Sequence, residues 1–295
     1  KVIIRQKLSI YAMIKNQLFF FGLAMLLTLG SCSKGDDNNI VNPEPHKGTP
    51  TSPPIKTQQV DLVREIQITS NKAGNVTTSK TVFTYNTDNT LSTVSGLKTS
   101  SSFGAEDIRY VYSNGKATAF VSQKGNKGED VYEFTLAPNE KKAISLKVNL
   151  ADTKDTNSRY DFSYNELNQL VKIENTSDLN HDIEEYIWED GNPLKTKGST
   201  YISDTYRRSD VLNNSNIDLN VLIAGYPNFI NPRYAAIQGL LGVKATNLLQ
   251  QYETSRRRFS YIYQLNEKGA VSQVVRIIFH KDENVTETTT FDIKY

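Results

Sequence analysis

One cysteine, three histidines, two methionines and one tryptophan are spread over 295 residues. A lone cysteine leaves no disulfide framework and no cysteine-based metal site. His46, His181 and His280 have no H-x-x-x-H or Cys/His neighbour at ligand spacing, so no metal and no cofactor is expected. No G-x-S-x-G elbow occurs, and the glycines of "GNKG" (125–128) precede no helix that would cradle a phosphate. Without a catalytic motif, the chain is not expected to be an enzyme. Net charge is also scarce, at +2. Lys1, Arg5, Lys7 and Lys15 stand in residues 1–31 with no acid, and removing these four from 34 leaves 30 basic against 32 acidic residues. Beyond position 31 the chain is slightly acidic, which argues against nucleic acid as a partner.

What the chain does have is aromatic: 16 Tyr and 12 Phe against a modest 38% hydrophobic content. Few aliphatics with many Tyr, Thr and Asn favour strands over helices. The first part of the chain is different. From Met13, the expected true start, Lys15 supplies a positive n-region and Leu18–Leu29 an apolar stretch of 12 residues, followed by Gly30 and Ser31. That stretch falls short of the roughly 20 residues a spanning helix needs. Residues 1–31 therefore read as a signal peptide. "LGSC" (29–32) resembles the lipobox of bacterial lipoproteins, and the resemblance implies lipid attachment at Cys32 after cleavage before it. Residues 32–59 carry five of the nine prolines and almost no large apolar side chain, so they read as a disordered tether. At about 3.1 Å per residue it could extend roughly 80 Å. "SKGDD" behind the cysteine resembles the export signal of surface-exposed Bacteroidota lipoproteins.

From about residue 60 a pattern recurs. "VFTYNTDNTLSTV" (82–94), "RYVYSNGKATAF" (109–120), "DFSYNELNQLVKI" (161–173), "EYIWEDGNPLKT" (185–196) and "FSYIYQLNEKGAVSQV" (259–274) each place two aromatics at i and i+2 before a turn with Asn, Asp or Gly. "VYEFTLAPNEKKAISL" (131–146) is a looser copy. Period two puts both aromatics on one strand face, and the turn residues tolerate the positive φ of tight hairpins. Each unit reads as a hairpin. About 14 or 15 strands in an antiparallel meander are too many for an open flat sheet, so an all-β sheet that curls, open or closed into a barrel, is expected. The pattern breaks at 216–242, where a helix-like period appears. Asn216 or Asp218 would cap a first helix through about Ala224, and Pro232 would open a second one ending before Gly242. This helical insertion is expected to plug or cover the sheet within a single β domain, 60–295.

"YIWEDGNPLKT", then "NNSNIDLNVLI", then "GLLG" and a final aromatic hairpin resemble a group of Bacteroidota lipoproteins of unknown function with a porin-like fold. The resemblance spans roughly 60–295 and implies a curled antiparallel sheet with no established activity. A lipid-spanning barrel is not expected. The faces opposite the aromatics carry Thr84, Arg109, Glu133, Asp161, Ser163, Glu185 and Glu189, which belong in water.

The aromatic band reads as core, with a stacking platform for sugars as the competing reading, centred on Tyr186 and Trp188. Glu184, Glu185, Glu189 and Asp190 form an acidic cluster that a glycoside hydrolase would need, but solvent-side charges of a strand are the commoner case. "RRR" (256–258) reads as a polar strand start, with a patch for a phosphate-bearing headgroup as the lesser reading. The functional expectation is a surface lipoprotein of the outer membrane, or of its periplasmic face. It would act as a binding or accessory module for glycan or for a partner outer-membrane protein. A structural envelope protein is the alternative, and a hydrolase using Glu185 and Glu189 the least favoured one.

Overall fold

A computed structural model describes residues 61–98, 104–123, 127–151, 158–176, 183–197, 205–224 and 233–295. Eleven strands come first: β1 (Glu65–Lys72), β2 (Asn75–Tyr85), β3 (Leu91–Leu97), β4 (Glu106–Ser113), β5 (Lys116–Gln123), β6 (Glu129–Leu136), β7 (Ala143–Asn149), β8 (Ser158–Tyr164), β9 (Leu170–Asn175), β10 (Ile183–Glu189) and β11 (Asn192–Lys197). After β12 (Thr205–Leu212) come a single wide helical turn, α1 (Asn220–Ala224), and a short helix, α2 (Arg233–Gln238). Then β13 (Asn247–Glu253), β14 (Arg257–Leu265), β15 (Val271–His280) and β16 (Val285–Lys294) complete the chain. All sixteen strands form one antiparallel sheet in which chain neighbours pair, save β11 with β12, and in which β1 also joins β16. The edges are β11 and β12, consecutive in the chain.

This is the expected all-β meander with a small helical insertion, and the count of 14–15 was one or two strands low. Short strands without an aromatic pair explain the shortfall. In β13, Leu248 and Leu249 are both buried beside a register shift, which erases the period-two signal.

Because every pairing is antiparallel, the connections alternate between two ends. The near end holds the turns after β2, β4, β6, β8, β10 and β14, together with Asp61 and Tyr295. Three of these turns close alike: Asn86, Asn165 and Asn266 donate their N–H to the carbonyls of Thr90 (2.8 Å), Gln169 (3.0 Å) and Ala270 (2.8 Å). The fourth turn residue has positive φ in each, at Asn89 (63°), Asn168 (58°) and Gly269 (77°). That conformation is why these turns are built from Asn and Gly.

The aromatic pairs divide their work. The first members, Phe83, Tyr110, Phe162, Tyr186 and Tyr261, are all buried in the core. The second members stand at the near end with polar tips that donate to main-chain carbonyls at the neighbouring strand. Tyr85 donates to the carbonyl of Val63 (2.6 Å), Tyr112 to Leu91 (3.1 Å), Tyr164 to Ala143 (2.7 Å) and Trp188 to Leu170 (2.7 Å). Tyr263 and Tyr295 repeat the contact with Leu249 and Val271. The acceptor is the first residue of the preceding strand at Leu91, Ala143, Leu170 and Val271, and lies two residues from it at Val63 and Leu249. Several of these strand pairs shift register beside the aromatic, as at Thr84/Tyr85 and Ser163/Tyr164, turning carbonyls toward the ring tips. The preference for Tyr or Trp over Phe at the second position thus has a hydrogen-bonding cause.

Removing one such tip tests the arrangement. Tyr164→Phe should lower stability by about 1 kcal/mol, the usual net value of one hydrogen bond, and shift the urea midpoint without changing the slope.

Candidate functional site

Residues 213–224, which follow β12 at the near end, and residues 233–246 place core side chains inside the sheet. Ile217, Leu219, Tyr234 and Ile237 are each almost fully buried against inward side chains of the wall. Asp218 caps α1, its Oδ1 accepting from the N–H of Asn220 (3.0 Å) and Val221 (3.4 Å) and from Asn213 Nδ2 (2.9 Å). Asn216 instead ties the segment to the wall: its Oδ1 accepts from Val63 N–H (2.9 Å) and its Nδ2 donates to Tyr85 OH (2.8 Å). Burial raises the Asp218 carboxyl above the usual aspartate range, opposed by Asn213 and by nearby Lys244.

Deeper in, α2 meets the wall through charge. Glu106, 1% exposed, accepts from Arg233 Nη2 (2.6 Å), Tyr234 OH (3.1 Å) and Gln123 Nε2 (3.4 Å). Tyr110 donates to the carbonyl of Tyr234 (3.0 Å), and Tyr132 packs edge-on to the Tyr234 ring at 4.6 Å. Burial pushes the Tyr132 phenol up to about 12, so it stays protonated. Glu106 is in phase with Ile108 and Tyr110 along β4, a strand parity that places it inward. That phase was the signal available in the sequence. The partner, 127 residues away, had none.

The segment returns to the near end and bridges the sheet edges, which no strand ladder joins among the described residues. Thr246 N–H donates to Gly191 carbonyl (2.9 Å), Asn247 N–H to Asn192 Oδ1 (2.9 Å) and Asn192 Nδ2 to Asn247 Oδ1 (3.1 Å). Arg208 reaches the carbonyl of Pro193 across the same seam. Gly242 passes so close to Asn168 that a Cβ would lie 2.3 Å from its carbonyl oxygen, and its φ of 73° also requires glycine.

Among the residues singled out from sequence, Cys32, His46 and His181 lie outside the described residues. Tyr186 is 5% exposed and donates to Glu184 (2.7 Å), while Trp188 is half-buried. Both line a cavity of about 30 Å³ with Leu170, Leu241 and Asp218, room for a water molecule or two rather than a sugar ring. Glu185 and Glu189 share the outward face with exposed Ile183 and Ile187, away from those aromatics. His280 is buried, 3.7 Å from Glu287. Among the described residues no cluster of His, Cys, Asp and Glu could hold a metal ion, and no helix is long and apolar enough to cross a membrane.

The outward wall bears the charges foreseen there, several in ion pairs: Arg109–Glu129 (3.6 Å), Lys116–Glu133 (3.7 Å), Arg159–Asp161 (3.4 Å) and Lys172–Glu174 (2.6 Å). Exposed pairs of this kind contribute little stability, but they mark a water-facing surface.

Residues 108–273 match the family described as "Domain of unknown function (DUF4595) with porin-like fold", so the chain belongs to that family. The matched stretch runs from β4 into β15 and contains the whole helical insertion. A crystal structure of a porin-like protein from Bacteroides uniformis is similar at 17% identity, with a TM-score of 0.57, covering 79% of this chain and 96% of that one. A porin-like protein from Bacteroides vulgatus gives 12% identity and a TM-score of 0.47, covering 80% and 99%. Curated proteins give no significant match.

Two outcomes test the inner contacts. Glu106→Gln removes the buried carboxylate that faces Arg233 and should cost about 3 kcal/mol, the low end for breaking a buried pair. Adding Arg233→Met should recover part of the loss in the same denaturation assay. For Asp218, the raised folded-state pKa means the native state binds the proton first as pH falls. Its stabilising effect is present at low pH and lost as pH rises through that pKa. Wild type should therefore gain stability relative to Asp218→Asn as pH drops from 7 toward 4.

Proposed function

We propose that the chain is a lipid-anchored envelope protein whose plugged β-barrel serves as a binding or accessory module, not as a conduit. The observation that carries this reading is the filled lumen. Ile217, Leu219, Tyr234 and Ile237 are core residues of the fold, so clearing the interior would mean unfolding it. Barrels of 16–18 strands that conduct keep an aqueous channel instead. The charged outward wall supports a body that stands in water beside a membrane, since Lys or Arg facing lipid costs about 2–4 kcal/mol at the bilayer midplane.

In this reading Cys32 carries the lipid and residues 33–59 act as tether. The body stays at the outer membrane, exposed at the cell surface. It binds rather than catalyses, and its partner is a glycan or another envelope protein.

The full chain tests this directly. Cys32→Ser should move the protein from the detergent phase to the aqueous phase, and the wild-type chain in planar bilayers should give no conductance steps. Crosslinking in intact cells should capture an envelope protein or glycan. Stepwise conductance would overturn the module reading, and unchanged partitioning of Cys32→Ser the anchor.

A further inference from the structure

The outward wall is divided by charge. On β4 to β10 nearly every strand places a charged side chain outward, among them Arg109, Glu133, Lys147, Arg159 and Lys172. From β14 through β15, β16 and β1 to β2 the middle of the wall has none. The cross-strand rows there read Ile262–Val275–Thr290–Thr69–Thr78 and Ser260–Ile277–Thr288–Asn71–Val76. Charge returns on both sides of these two rows: Arg258 stands opposite Phe279 toward the far end, and Asp292 and Lys80 lie in the next row toward the near end. Ile262 is 55% exposed and Val76 60%.

We propose that this uncharged face is where the body rests on the surface of a lipid bilayer. The proposal rests on the lipid-anchor reading and adds the side by which the body lies down. Three features single out a bilayer. First, the chain enters the fold here. Arg64 N–H pairs with Lys294 carbonyl (2.7 Å), and Asp61 pairs with Lys268 (2.9 Å) in the β14–β15 turn. An upstream tether therefore pulls on β1, a strand within this face and next to its central strand β16. Second, five strands about 4.8 Å apart with two outward rows span roughly 330 Å², well below the roughly 800 Å² per partner of a standard protein interface. Third, at the far-end rim the five cations Lys72, Arg256, Arg257, Arg258 and Lys281 outnumber the four acids Glu253, Asp282, Glu283 and Glu287, with Arg258 and Lys281 both paired to Glu253. A slight cationic excess suits anionic headgroups. Threonine hydroxyls can bond to phosphate oxygens while Ile262, Val275, Ile277 and Phe279 enter the interfacial layer.

The test uses the full lipidated chain on phosphatidylethanolamine–phosphatidylglycerol vesicles containing nitroxide-labelled lipid. A fluorophore is placed on Thr288→Cys, within the face, or on Lys147→Cys, on the opposite wall. Quenching severalfold stronger at 288 than at 147, and abolished by Ile277→Asp, is the expected result. Equal quenching at the two positions in vesicle-bound protein overturns the docking face and leaves the anchor standing. If wild type washes off the vesicles as Cys32→Ser does, the anchor reading falls. The face is then judged on Cys32→Ser carrying the same labels: preferential quenching at 288 sustains it and none overturns it. Concentration-dependent dimers dissolved by Ile277→Asp would assign the face to a second copy and also overturn the proposal.

Discussion

A curled sheet of sixteen strands encloses more space than its own inward side chains can fill, and everything else in this fold answers to that surplus. Eight-stranded barrels are about as wide as side chains alone can pack. Here a segment between β12 and β13 is turned inward, and its apolar residues become the centre of the core. The wall is thus held from within as much as by its ladders.

That solution brings polar backbone into an apolar interior, and the chain meets the demand locally. Asp218 caps the first helical turn, while Asn220 accepts from Leu249 N–H (2.9 Å) and donates to Asn247 carbonyl (3.0 Å). Glu106 and Arg233 fix the second helix to the wall. A buried ion pair contributes more to uniqueness of position than to net stability, because desolvation offsets much of the attraction. The same economy governs the near end, where aromatic tips take up carbonyls that shifted strand registers leave without ladder partners. One residue type then supplies core area and hydrogen-bond closure together.

The division of labour between wall and insertion bears on function. "Porin-like" describes the course of the strands. A porin leaves its lumen wet and its outside greasy, whereas this chain has a lumen occupied by its own apolar side chains and a wall of ion pairs over β4 to β10. The uncharged sector around β15 and β16 is the exception, and it lies where the chain enters the fold.

Sequence alone determined the hairpins, their inward and outward faces and the place of the insertion, because period two, positive-φ turn residues and apolar runs are local signals. Thr84, Arg109, Glu133, Asp161 and Ser163 all proved outward for that reason. Only the tertiary structure decided that β1 meets β16, that β11 and β12 are left as edges, and that Arg233 finds Glu106. It also decided that Tyr186 and Trp188 line a cavity of only about 30 Å³. These are contacts between residues far apart in the chain, set by how the sheet curls around its insertion, and no short stretch of residues carries that information.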